Sequence, residues 1–182
     1  MNSMTNPLPV SLARFWRNED GVAAIELAMI LPVLLTLLLG IVDAGNLLLL
    51  DKKTLSAAQI AGDLVTRNRV ITAAQISDAQ IAARMALEPF DKSKLGVDIV
   101  SIQFTGTSNT PTILWRETTD NMTPNPDVLD LAEGLGVAGE GVVITTTHYH
   151  YDPVFIGGMI GSTDMQEISV TRGRRGPLVT KN

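Results

Sequence analysis

The chain contains no cysteine. That absence excludes disulfides, thiolate catalysis, cysteine-built zinc clusters and a lipid-modified cysteine anchor. Aromatic residues are scarce, at 4%, and positive charge is in deficit, with a formal net charge of −5. Nucleic-acid binding calls for a basic face and usually for stacking rings, so no nucleic-acid partner is expected. With 182 residues the chain suits one modest domain plus an appendage, since domains cluster near roughly 100 to 150 residues. There is no internal repeat and no long low-complexity linker.

What is present in abundance is apolar sequence near the start. The stretch GVAAIELAMILPVLLTLLLGIVDAG runs from Gly21 to Gly45, with a single carboxylate, Glu26, near its beginning. No charged side chain occurs from Leu27 to Val42, and apolar character resumes at Leu47 to Leu50. About 20 to 25 helical residues cross a bilayer core, and Val22 to Leu50 supplies slightly more, so a single-pass helix in a lipid bilayer is expected. Arg14, Trp16 and Arg17 read as a basic cytoplasmic flank with an aromatic anchor, which orients the N-terminus inward, although Lys52 and Lys53 follow the other end.

Glu26 is the anomaly, because an ionisable group within a membrane span is costly and marks function by default. Two plainer readings compete. In one, the segment is a simple tether and Glu26 snorkels toward the interface. In the other it is a secretory signal cut after Ala44, which would release a soluble domain; signal peptides, however, have apolar regions of about 7 to 15 residues, and here leucines continue past the cut. Pro32 removes a backbone donor inside the span and is expected to kink it, although membrane helices also tolerate proline. Gly40 and Ala44 form a small-xxx-small pair that allows close helix approach. Asp43 should lie near the outer interface or face another helix, not lipid.

The grouping of Arg14, Arg17, Gly21, Glu26 and the apolar helix resembles the class III signal of type IV pilin-like proteins. In that superfamily a prepilin peptidase cuts after a glycine on the cytoplasmic face, and the fifth mature residue is glutamate. A cut after Gly21 would make Val22 the new N-terminus and Glu26 the fifth residue. A freed α-amino group and a carboxylate at the same depth can neutralise each other between neighbouring subunits. More narrowly, the segment from Arg17 to about Leu64 is similar to the TadE-like pseudopilins of tight-adherence (Tad, Flp-type) pilus systems. Those proteins often carry an aromatic residue after the glutamate, where this chain has Leu27.

The resemblance implies a structural protein with no cofactor and no catalytic turnover, active in priming, capping or base-platform linkage of a Flp pilus. The expected partners are a prepilin peptidase, Tad platform membrane proteins, other minor pseudopilins and the major Flp pilin. The implied organisation is a cytoplasmic leader (1–21), a transmembrane helix (22–50), a helical stalk (51–69) and a periplasmic α+β domain (70–182).

Beyond Leu50 the pattern DKKTLSAAQIAGDLVTR keeps Leu55, Ile60 and Leu64 near helical spacing, so the membrane helix should continue to about Arg67. A second helix should follow Thr72 as N-cap, with Ala74, Ile76, Ile81, Met85 and Leu87 as packing positions and Pro89 as its stop. The period then falls from 3.6 to 2. Val100, Ile102 and Phe104 alternate with Ser101, Gln103 and Thr105, which predicts a half-buried strand, and Thr112 to Trp115 begins its antiparallel return. Asn121 to Glu140 reads as loop with a helical turn at Val128 to Ala132. Val142 to Tyr151 and Gln166 to Thr171 read as two more strands joined by the loop from Phe155 to Ser162. The fold class expected is α+β, with a mainly antiparallel sheet of about four strands.

Three further features compete for a functional role. Gly134, Gly136 and Gly139 satisfy G-x-G-x-x-G, but they lead into a strand and open no helix, so a surface turn is the expectation. His148 and His150 share one strand face and, with Asp152, have the donor set for a metal; the plainer reading is a polar sheet face. A membrane-tethered periplasmic binding module built around these histidines is the rival function. Arg172, Arg174 and Arg175 lie in a basic C-terminal run that suits an acidic partner or anionic headgroups, with a solvated tail as the plain alternative.

Overall fold

The computed structural model describes residues 20–155 and 157–182. Helix α1 (Asp20–Thr66) runs unbroken through Pro32. The chain divides into two compact units, the first ending at Val42 and the second comprising Asp43–Asn182. In the first, apolar side chains are exposed on every side of the helix, Val22, Ile25, Leu27, Ile30, Leu34, Leu38 and Ile41 among them. A helix that is apolar all round needs an apolar surrounding, and this one is long enough to cross a membrane.

In the second unit α1 changes character. Leu50, Thr54, Ala58, Ala61 and Val65 are buried at steps of three and four residues, with Ala57 beside them, a single stripe turned toward a sheet. Small side chains let the helix come close: a Cβ added to Gly62 would stand 3.0 Å from Thr171 Oγ1 and 3.3 Å from Thr145 Oγ1. The helix stops at Thr66, whose hydroxyl donates back to Gly62 O at 2.8 Å.

The remaining elements, in chain order, are β1 (Val70–Ile71), α2 (Ala73–Met85), a 3₁₀ turn (Lys92–Lys94), β2 (Leu95–Thr105), β3 (Thr110–Thr118), α3 (Val128–Ala132), β4 (Gly141–Tyr151), α4 (Gly157–Ile160), β5 (Thr163–Thr171) and β6 (Thr180–Lys181). The expected α+β plan is therefore present, with a four-stranded antiparallel sheet in the order β3-β2-β4-β5. Thr72 caps α2 through a reciprocal pair, Gln75 N donating to Thr72 Oγ1 and Thr72 N donating to Gln75 Oε1.

Three expectations need correction. The buried stripe of α2 is Ile76, Ala79 and Ala83, continued by Leu87, whereas Ile81 and Met85 are exposed. Alanines carry the packing, and the bulkier residues point away. Strand β2 is half-buried only toward its end: from Leu95 to Ile102 every residue is buried, Ser101 included, and the expected alternation holds at Gln103, Phe104 and Thr105. Both sheet faces are covered, one by α1 and α2 and the other by α3 with its flanking loops. Lastly, the C-terminal run is no solvated tail. β6 pairs in parallel with β1, Val70 opposite Thr180, and Val179 is buried, its carbonyl accepting from Trp115 Nε1 at 2.7 Å and Ser101 Oγ at 2.9 Å.

Candidate functional site

At the start of α1, Gly21 is helical and a Cβ added to it would meet nothing within 4 Å. Packing thus gives no reason for a glycine, which weakens a helix relative to alanine. Val22 and Glu26 are exposed, and Glu26 has no hydrogen bond or ion pair among the described residues. Arg14, Trp16 and Arg17 lie outside the described residues.

Farther along, Thr36 Oγ1 donates to Pro32 O at 2.8 Å, giving that carbonyl a side-chain partner next to the missing proline donor. Gly40 and Ala44 stand one turn apart on α1, Ala44 exposed. Asp43 is different: it is buried, with Oδ1 accepting from Val154 N at 3.1 Å and Oδ2 from Phe155 N at 2.9 Å. Its carboxylate is spent on the loop that follows β4.

On the sheet, the alternation of β4 turns Tyr149 and Tyr151 inward to the helix-side core and His148 and His150 outward. The register of β4 with β5 places Asp164 opposite His150. His150 Nδ1 lies 2.7 Å from Asp164 Oδ1, His148 Nε2 lies 3.5 Å from the same oxygen, and His150 Nε2 lies 3.3 Å from Asp152 Oδ1. Lys94 Nζ holds the other oxygen of Asp152 at 2.9 Å. The hydrogen bond to Asp164 raises the His150 pKa above the ordinary imidazole range, and the same bond lowers that of Asp164. Asp152 is lowered chiefly by its bond to Lys94. Among the described residues, no group of three or more histidines and carboxylates is arranged to hold a metal ion. Next to His148 and Gln166, the segment from Asn121 to Pro126 borders a cavity of about 340 Å³.

Neither Asp164 nor Lys94 stood out in the sequence, because strand register brings the one to His150 and a turn brings the other. The ion pair of Asp98 and Arg116 was equally hidden. Asp98 is fully buried, bonded to Arg116 Nε at 2.9 Å, Thr118 Oγ1 at 2.6 Å and Asn125 N at 3.1 Å. Asn125 Nδ2 passes the network on to Thr146 Oγ1 at 3.1 Å. Its only signal was an acidic residue inside an apolar strand.

The glycine triplet is a turn, as expected: Gly134 and Gly139 have φ of +72° and +91°. Gly136 is there for space, since a Cβ would fall 2.3 Å from Phe104 Cε2. Of the arginines, Arg172 pairs with Glu140 at 3.4 Å and Arg174 with Asp63, both on the domain's own surface. Arg175 is exposed and forms no ion pair among the described residues.

Residues 21–63 match the family model described as TadE-like protein. The match takes in Gly21, Glu26, Pro32, Gly40 and Asp43, and leaves the sheet outside it. No curated protein and no solved structure matches the chain.

Proposed function

Taking the chain as a TadE-like protein of the Tad pilus system, we propose that it is a minor pseudopilin, processed by a prepilin peptidase after Gly21 and retained by α1 in the bacterial inner membrane. The N-terminus is cytoplasmic, and the domain carrying the sheet is periplasmic. The observation that carries this reading is the pair Gly21 and Glu26, set at the head of an exposed apolar helix, with no packing contact for a Gly21 Cβ and no ion pair for Glu26 among the described residues. A glycine without a packing role suits recognition by a peptidase. A carboxylate without a partner among the described residues suits an α-amino group released at Val22 of a neighbouring subunit, because a desolvated charge has to be compensated.

The rest of the reading follows from what each part offers. Gly40 and Ala44 give a close-approach surface for another helix in lipid. The folded domain supplies contacts to the Tad platform proteins, to other minor pseudopilins and to the major Flp pilin, in priming, capping or linking the pilus base. The role is structural, with no cofactor and no turnover.

Intact mass and N-terminal sequencing of protein recovered from membranes test the proposal. A mature chain beginning at Val22, with or without an N-methyl group, is expected. A chain still carrying residues 1–21 would overturn processing, and one beginning at Gly45 would mean secretion after Ala44. Normal processing and normal pili with both Gly21→Leu and Glu26→Ala would sink the assembly role assigned to that pair.

A further inference from the structure

The four-stranded sheet ends differently on its two sides. Strand β3 is guarded: it carries Pro111 and Arg116, and its register with β2 breaks between Ser101 and Ile102. The C-terminal segment also bonds to it, Trp115 Nε1 donating to Val179 O and Lys181 pairing with Glu117. Strand β5 has none of these devices. Its nine residues pair with β4 without a register break, contain no proline, lysine or arginine, and have no strand on their outer side among the described residues. A long, flat edge of this kind is a template for another strand, and folded proteins normally blunt it.

Alternation along β5 sorts its side chains. Met165 joins the core beneath the helices, and Glu167, Ser169 and Thr171 follow it on that face. There α1 lies over the sheet: Thr147, opposite Glu167 in the register, donates to Thr54 O at 3.1 Å. Alongside, α1 and β5 border an open groove of about 570 Å³, with Gln59, Ile60 and Leu64 on one wall and Ser169 and Thr171 on the other. Ile60 is 37% exposed, an apolar side chain left on that wall. A strand added at the outer side of β5 would send alternate side chains toward this groove.

The same edge carries a charge requirement. Glu167 is partly buried and forms no ion pair among the described residues. Burial first, and then the Asp51 carboxylate on α1, push its pKa up, with Lys52 opposing. Two carboxylates acting on one another at the edge call for a cation. A second copy of β5 would instead gather Glu167 and Asp51 of both chains along one seam, which like charges oppose. We infer that β5 is the receiving edge for an extended strand of a partner polypeptide, which bonds main chain to main chain along Thr163–Thr171 and sets a lysine or arginine against Glu167 and Asp51. The edge belongs to the folded unit, Asp43–Asn182, so this contact stands or falls independently of processing after Gly21.

The full chain in detergent micelles is titrated with three fluorescently labelled peptides that match the nine residues of β5 in length and alternate threonine with valine. One has lysine at its centre, one has glutamate there, and one is the lysine peptide with every amide N-methylated. Binding is read by anisotropy, and its place by amide exchange with mass spectrometry. Expected is saturable binding of the lysine peptide, binding of the glutamate peptide weaker by about tenfold or more, and none of the methylated one. Exchange should slow in β5 and stay unchanged in β3. Glu167→Gln should reduce the preference for lysine and Glu167→Lys should remove it, in protein shown by thermal melting to be folded. Absence of binding, equal binding of the three peptides, protection in β3 in place of β5, or an unchanged preference in both folded variants would overturn the inference. So would self-association that slows exchange in β5 without peptide, which would give the edge to a second copy.

Discussion

The Asp98 carboxylate, closed off from solvent, is gripped by the Arg116 guanidinium from the neighbouring strand, with Thr118 and Asn125 closing the remaining directions. Removing one partner of a buried pair strands the other, so Arg116→Met should destabilise the domain by about 3–5 kcal/mol. The double change Asp98→Leu with Arg116→Met should cost less than the single one, because no charge is left behind. Denaturant melts of the detergent-solubilised full chain measure both. Equal losses would mean that the pair is not coupled.

The Gly136 site predicts a steric effect. Gly136→Ala drives a methyl group into the buried Phe104 ring, for a cost of about 1–3 kcal/mol. Gly158→Ala is the control, with open space around its added Cβ and ordinary backbone. Thermal melts of the two variants should separate clearly.

The latch at Val179 is held by two donors. Trp115→Phe removes the indole bond but leaves Ser101 donating to the same carbonyl, so the loss should be about 0.5–1.5 kcal/mol. Adding Ser101→Ala should cost more than the sum of the separate changes, since only the pair leaves the buried carbonyl unmet.

His150 should titrate above the ordinary imidazole value of about 6.5. Because its folded pKa is raised, the stabilisation from its pairing is complete below the unfolded value and fades as pH climbs through the folded one. Asp164 works the other way: its lowered pKa gives stabilisation that is present above the ordinary carboxylate range and lost in acid. The pair is therefore strongest in mildly acidic solution, between those two limits. Histidine NMR titrations should show the His150 midpoint move down toward normal in Asp164→Asn, and an unmoved midpoint would reject the pairing.

Neutralising Arg172 and Arg174 to glutamine removes two exposed ion pairs, and such pairs add little to stability. The melting temperature should hardly change. Loss of pilus assembly at unchanged stability would make these arginines partner contacts; unchanged assembly would leave them as surface charge.

Much of this architecture could be read from residue pattern, and the exceptions share a physical cause. The strand around Val100–Phe104 announces itself by alternation, that at Val142–Tyr151 by its β-branched and aromatic residues, α2 by the cap at Thr72, and the short α3 by its position in a loop. The β1–β6 pair does not: it is two residues on each side, and its bonds are made by main chain, which carries no residue signature. Alanine gave equal warning of nothing at Ala79 and Ala83, which bear the packing that Ile81 and Met85 were expected to bear. At the candidate site, Gly21 and Glu26 draw attention because a glycine opens the apolar run and a carboxylate interrupts it. The roles of Asp164 and Asn125 depend on register and loop path, and neither is written in local sequence.

The strand pair at Val70 and Thr180 also has a kinetic meaning. Its hydrogen bond from Thr180 to Arg69 links residues 111 apart in sequence, whereas the β2–β3 and β4–β5 hairpins join near neighbours. Closing so long a loop is entropically expensive until the intervening sheet has already brought its ends together. The latch should therefore engage last during folding and open first under denaturant, so that amides near Ile71 and Asn182 exchange with solvent well before those of the central strands.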